Sequence, residues 1–191
     1  MRLFIALPLP EEAARALEEA ARGHLPSLAG EWRATPAERI HLTLKFLGDT
    51  DPARVPDLEK AIREAAREAG GPIEAKAGGE GGWLLLPGRR DPRVLAVPLS
   101  DPAGRLPALA ASVEGWTAAL GFPRERRPFL PHATVARRGP PARGRRRAAV
   151  PPPASEGGPP AMRLRLDRVV LMESVLGPGG PTYAAVATAS L

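Results

Sequence analysis

Two short stretches carry residue types that can do chemistry, and they are copies of one another. Ile40-His41-Leu42-Thr43-Leu44 and Pro131-His132-Ala133-Thr134-Val135 both read histidine, apolar, threonine, apolar, and they hold two of the three histidines in the chain. Side chains alternate with a period of two along a strand. As strands, each stretch presents an imidazole and a hydroxyl on one face and buries Leu42 and Leu44, or Ala133 and Val135, on the other. Two imidazoles facing each other across a groove can act as a neutral base and a protonated acid near neutral pH. Their pKa values must separate to do so. The hydroxyls of Thr43 and Thr134 can donate to anionic oxygens. A phosphodiester suits this set: water attacks phosphorus on one side, a sugar oxygen leaves on the other, and the threonines hold the non-bridging oxygens. Each acid or base contributes about 10²–10⁴ in rate. Neither a metal nor a cofactor is required, and two histidines with few nearby carboxylates make a poor metal site.

The elements that must position these strands are legible from periodicity and punctuation. Residues 2–7 predict a buried strand. Pro10-Glu11-Glu12 opens a helix with Ala13, Leu17 and Ala21 at helical spacing, ended by Gly23-His24. His24 is expected to decorate that helix end and to take no part in chemistry. A second helix is expected from about Pro52 to Ala69 on the stripe Val55, Leu58, Ile62, Ala65 and Ala69, stopped by Gly70-Gly71. Short strands follow at Ile73–Ala77, Trp83–Leu86 and Val94–Leu99. A third helix is expected from Leu106 to Leu120, then the second motif strand. Residues 138–160 are rich in arginine, proline and glycine and have no periodicity, which predicts a mobile surface loop. The chain closes with one strand at Leu164–Ser174 and another at Thr182–Ala189, joined as a hairpin. Helices with antiparallel-looking strands, and motifs 91 residues apart with one in each half, predict an α+β fold left by duplication.

Composition narrows the class. The 191 residues suit one domain or two small lobes sharing a core, and 43% hydrophobic residues are enough to build it. No cysteine is present, which rules out disulfides and thiolate nucleophiles and fits a reducing cytoplasm. The brief apolar N-terminus reads as a first strand, with no signal segment expected. No stretch approaches the roughly 20 apolar residues of a bilayer span. The net charge is +6, and of 27 cationic residues only Lys45, Lys60 and Lys76 are lysine, which favours a polyanionic partner. Asparagine and glutamine are absent and there are 24 prolines, the pattern of a heat-adapted protein and equally of a GC-rich genome. No Walker loop and no glycine-rich dinucleotide fingerprint appears.

The paired motifs, together with Phe4-Ile5-Ala6-Leu7-Pro8, Arg127-Pro128-Phe129-Leu130-Pro131 and the closing Ser174…Gly179-Gly180-Pro181-Thr182-Tyr183, resemble the two-histidine phosphoesterases. More narrowly they resemble the LigT-type 2'-5' RNA ligases and RNA 2',3'-cyclic phosphodiesterases, over nearly the whole chain. The resemblance implies a single catalytic domain over residues 1–191, bilobal and pseudo-symmetric, with mostly antiparallel sheet, outer helices and a central groove. It implies metal-independent opening of a terminal 2',3'-cyclic phosphate on RNA to a 2'-phosphate, and the reverse, ATP-independent 2'-5' ligation. It assigns His41 as proton donor and His132 as proton acceptor, and places Thr43, Thr134 and Arg137 on the phosphate. The implied partner is an RNA end, with transfer-RNA fragments among the candidates, met by a cytoplasmic monomer. Strict alternation puts Arg137 on the core side, so it reaches the groove only if its strand ends or bulges there. The same alternation puts Phe46 in the core and leaves Trp32 open as a base platform. Two other readings stay open: a cyclic phosphodiesterase acting on small nucleotides, and a non-catalytic RNA-binding protein.

Overall fold

A computed structural model describes residues 1–28, 31–79, 82–139, 158–177 and 180–191. Most of the expected arginine-rich loop, 140–157, lies outside the described residues. The first half contains β1 (Arg2–Pro8), α1 (Glu11–His24), β2 (Trp32–Ala34), β3 (His41–Asp49), α2 (Val55–Ala69), β4 (Ile73–Ala77) and β5 (Leu84–Leu86). The second contains β6 (Val94–Ser100), α3 (Arg105–Ala119), β7 (His132–Arg138), β8 (Met162–Leu166), β9 (Arg168–Gly177) and β10 (Gly180–Ser190). The fold is α+β, and every strand pairing among the described residues is antiparallel. Strand order is β10-β9-β1-β3-β7-β6-β4-β8, with β2 added on β7 and β5 on β6. Leu42 and Ala133 of the motif strands share one buried core with Leu17, Leu58, Ile62, Leu106 and Val113 of the helices. No described helix is long and apolar enough to cross a membrane.

The helices form where their punctuation allows. Glu11 and Glu12 sit in the first turn of α1, where the exposed amides favour acid. Asp51 accepts from the Ala53 amide to start the turn that leads into α2, and Gly70 closes α2 at φ 72°. Two expected strand boundaries are corrected. Leu164–Ser174 is two strands, not one: Leu164 and Leu166 alternate inward, the chain breaks at Asp167, and Val169, Val170 and Leu171 are buried in succession. The pieces go to opposite edges, β8 onto β4 and β9 onto β1. Trp83 precedes β5 and does not belong to it; it is buried and stacks on His24 at 4.9 Å.

The repeat extends beyond the two motifs. Ala6, Leu7 and Pro8 of β1 pair with Thr43, Leu42 and His41. Ala96, Val97 and Pro98 of β6 pair in the same way with Thr134, Ala133 and His132. In both pairs the register then shifts. Ile5 faces Lys45 although Ala6 faces Thr43, so Leu44 is an extra residue; Leu95 faces Ala136 although Ala96 faces Thr134, so Val135 is extra. A bulge of this kind adds one residue to one strand and reverses the facing of everything beyond it. Leu44 and Lys45 are therefore buried in succession, as are Val135 and Ala136. Phe46, expected in the core, is 64% exposed, and Arg137 turns to the groove side.

Candidate active site

The motif strands β3 and β7 are neighbours, paired antiparallel at Leu42 and Ala133, the middle residues of the two motifs. In an antiparallel pair directly opposed residues share a face. His41 therefore comes beside Thr134 and Thr43 beside His132, all on the face away from the core. The four groups corner a quadrilateral with the histidines on one diagonal and the threonines on the other. Each imidazole is fixed the same way. His41 Nδ1 donates to the Arg39 carbonyl at 2.7 Å, and His132 Nδ1 to the Leu130 carbonyl at 2.7 Å. A carbonyl can only accept, so Nδ1 carries the hydrogen in both and Nε2 is left to the groove.

A cavity of about 390 Å³ opens beside His41, with Arg137, Phe46, Phe4, Tyr183 and Arg2 in its lining. Phe4 lies 5.0 Å from the His41 ring and Tyr183 meets it edge-on at 5.3 Å. These two rings were not expected site residues; Phe4 and Tyr183 lie in stretches that carry the family likeness, but alternation alone gives them no role. Burial pushes the His41 imidazole down to about 4; the bond to the Arg39 carbonyl opposes this, and the charges of Arg137 and His132 add to it. The groove-side imidazole of His41 is thus neutral at pH 7 unless an anion joins it. Trp32, the other expected platform, sits on β2 with the Arg138 guanidinium 5.7 Å over its ring. Among the described residues no group of three or more His, Asp or Glu side chains is placed to hold a metal ion.

Beneath the site, Lys45 is fully buried by the bulge, and its Nζ donates to both Glu114 oxygens at 2.9 and 2.8 Å and to the Pro123 carbonyl at 2.8 Å. Glu114 also accepts the Glu125 amide at 3.1 Å. One ion pair therefore ties the first motif strand to α3 and to the segment that leads into His132. Sequence alternation treats Lys45 as a groove residue, on the His41 face, and so conceals this role.

An open antiparallel sheet whose two central strands each present His-x-Thr to one groove defines a two-histidine phosphoesterase. The model of the LigT-like phosphoesterase family matches residues 7–79 and 97–183, and the chain belongs to that family. It is 35% identical to the RNA 2',3'-cyclic phosphodiesterase of Thermus thermophilus, over all of this chain and 90% of that one. It superimposes on the crystal structure of TT0787 of Thermus thermophilus with a TM-score of 0.77 at 30% identity, covering 100% of this chain and 98% of the other. Escherichia coli LigT complexed with 3'-AMP gives 0.73 at 26% identity, covering 100% and 97%.

Proposed function

We propose that the chain hydrolyses the 2',3'-cyclic phosphate at an RNA end to a 2'-phosphate, without a metal ion. Water bonds to phosphorus as the bond to the 3'-oxygen breaks. His132 Nε2 takes the water proton and His41 Nε2 delivers one to the leaving 3'-oxygen. Thr43 and Thr134 donate to the non-bridging oxygens, and the Arg137 guanidinium balances the charge that gathers there. Phe46, exposed by the bulge, offers a face on which the terminal base stacks. A 5'-hydroxyl in place of water gives the 2'-5' linkage by the same proton transfers, with no ATP. The observation that carries this reading is the diagonal pair of histidines with both Nδ1 atoms tied to carbonyls, which leaves two Nε2 atoms for one phosphorus.

The lowered pKa of His41 supports a second reading in which the roles are exchanged, because a neutral imidazole is a ready base. A bound phosphodiester anion raises that pKa and suits the donor assignment. Turnover of an oligoribonucleotide ending in a 2',3'-cyclic phosphate, in EDTA, tests the activity: both His41→Ala and His132→Ala should lose at least about 10² in kcat. An aryl phosphodiester, whose leaving group needs no proton, separates the roles. The variant lacking the acid keeps most of its activity on the aryl ester and the variant lacking the base does not. Wild-type protein that turned over neither substrate would leave the binding-only reading.

A further inference from the structure

We infer that Arg33 forms a second phosphate subsite beside Arg137, which takes the backbone phosphate one linkage upstream of the reacting one that Arg137 serves. The inference rests on the phosphodiesterase reading and adds to it the form of the substrate: a strand and not a lone nucleotide. Arg33 on β2 is the direct cross-strand partner of Arg137 on β7. Paired residues share a face, so both side chains leave the sheet on the groove side, and both residues are exposed. Like charges placed opposite each other in a sheet are destabilising. No carboxylate lies within ion-pair distance of either group among the described residues, where nine acids are engaged with other cations. Among the described residues the two cations thus stand side by side with no ion-pair partner.

Position says what the anion is. The antiparallel pairing at Leu42 and Ala133 sends Phe46 beyond Thr43 toward one end of the groove and Arg137 beyond Thr134 toward the other. Phe46 and Arg137 are equivalent in the two copies, each three residues past its threonine and turned outward by its bulge. Both still line the cavity beside His41, with Arg2, Phe4 and Tyr183, whereas Arg33 lies outside it, across from Arg137 on β2. With the reacting phosphate between the histidines and within reach of Arg137, Arg33 is left for the next anion along the strand. A separate cavity of about 660 Å³ takes Arg33 into its lining with Trp32, Arg22 and one acidic residue, Glu31, and gives an RNA strand room to continue. Arginine forks suit phosphate oxygens in two-point contact.

The test compares a nucleoside 2',3'-cyclic monophosphate with a dinucleotide carrying the same cyclic end, for wild type, Arg33→Met and Arg33→Lys. Wild type should favour the dinucleotide in kcat/KM. Arg33→Met should lower the dinucleotide-to-mononucleotide ratio about tenfold, mainly through KM, and Arg33→Lys should restore part of it. The slope of log kcat/KM against log salt for the dinucleotide should become shallower by about 0.7 in Arg33→Met, one phosphate contact on a single strand. Its melting temperature should equal or exceed that of wild type, because a repulsion is removed. A ratio that does not change would make Arg33 an ordinary solvated side chain and overturn the inference. Equal losses on both substrates would assign Arg33 to the reacting phosphate and overturn it too. Failure of wild type on both substrates would overturn the phosphodiesterase reading itself, and the inference with it.

Discussion

At the scale of single residues, the acid–base role proposed for His41 is linked to stability. Its ordinary pKa near 6.5 applies in the unfolded chain, while burial holds it at about 4 in the folded one. Between those values the unfolded state binds more protons, so acid favours unfolding. The contribution of His41 is fully present above about pH 6.5 and is lost as pH falls toward 4. The shift corresponds to at most about 3 kcal/mol over that window. His41→Gln should therefore flatten the acid limb of stability, read by urea unfolding at pH 7 and pH 4.5. An unchanged limb would mean that His41 keeps an ordinary pKa. Arg137 acts on the same imidazole and, in the proposed mechanism, on the phosphate. Arg137→Met should cost about 10² in kcat/KM and raise the His41 pKa, read by NMR titration, because one of the two charges that lower it is gone. A variant that lost activity with the titration unmoved would place the guanidinium away from His41.

At the scale of elements, the bulges decide which side chains meet the groove. Histidine and threonine of each motif were legible because they precede the bulge, where period two still holds. Phe46 and Arg137 follow it, where the period has slipped by one, and alternation puts both on the wrong face. Neither Leu44 nor Val135 carries a glycine or proline to mark the slip. A signal was available in the partner strands: Ala6-Leu7-Pro8 and Ala96-Val97-Pro98 repeat each other beside the motifs. The buried Lys45 is the cost of the first bulge and also its anchor. Removing one partner of a buried pair typically destabilises by about 3–5 kcal/mol. Glu114 keeps 19% of its side chain exposed and can be partly rehydrated, so Lys45→Met should cost nearer about 3 kcal/mol. Adding Glu114→Leu should recover a large part of it, since the orphaned charge is then gone. Urea unfolding of the two single variants and the double variant gives the coupling; additive losses would show that the pair contributes nothing as a pair.

At the scale of the whole molecule, the two copies are interlocked and not merely adjacent. The helix that follows β1 packs on β7 of the other copy, and the helix that follows β6 packs on β3. The last strands are shared in the same spirit: β8 pairs with β4 at one edge of the sheet, while β9 and β10 extend the other edge beyond β1. The overall α+β plan was legible in the alternation of helical and strand periods. This sharing was not, because one strand-like stretch, Leu164–Ser174, does not show that its halves part at Asp167 to reach opposite edges. The physical consequence is cooperativity. Each motif strand owes its buried face to a helix from the other copy, so neither copy has a complete core alone. Urea unfolding followed by far-UV circular dichroism and by fluorescence of Trp32, Trp83 and Trp116 should give coincident single transitions. A chain ended after residue 139 lacks β8, β9 and β10. It exposes the unpaired edges of β1 and β4, and it should neither fold nor turn over a cyclic phosphate. Two separated transitions in the full chain, or a folded and active 1–139 fragment, would show that the copies are independent lobes. In that case the groove would owe its geometry to the single β3–β7 contact, and the placement of the two histidines would vary as the lobes move.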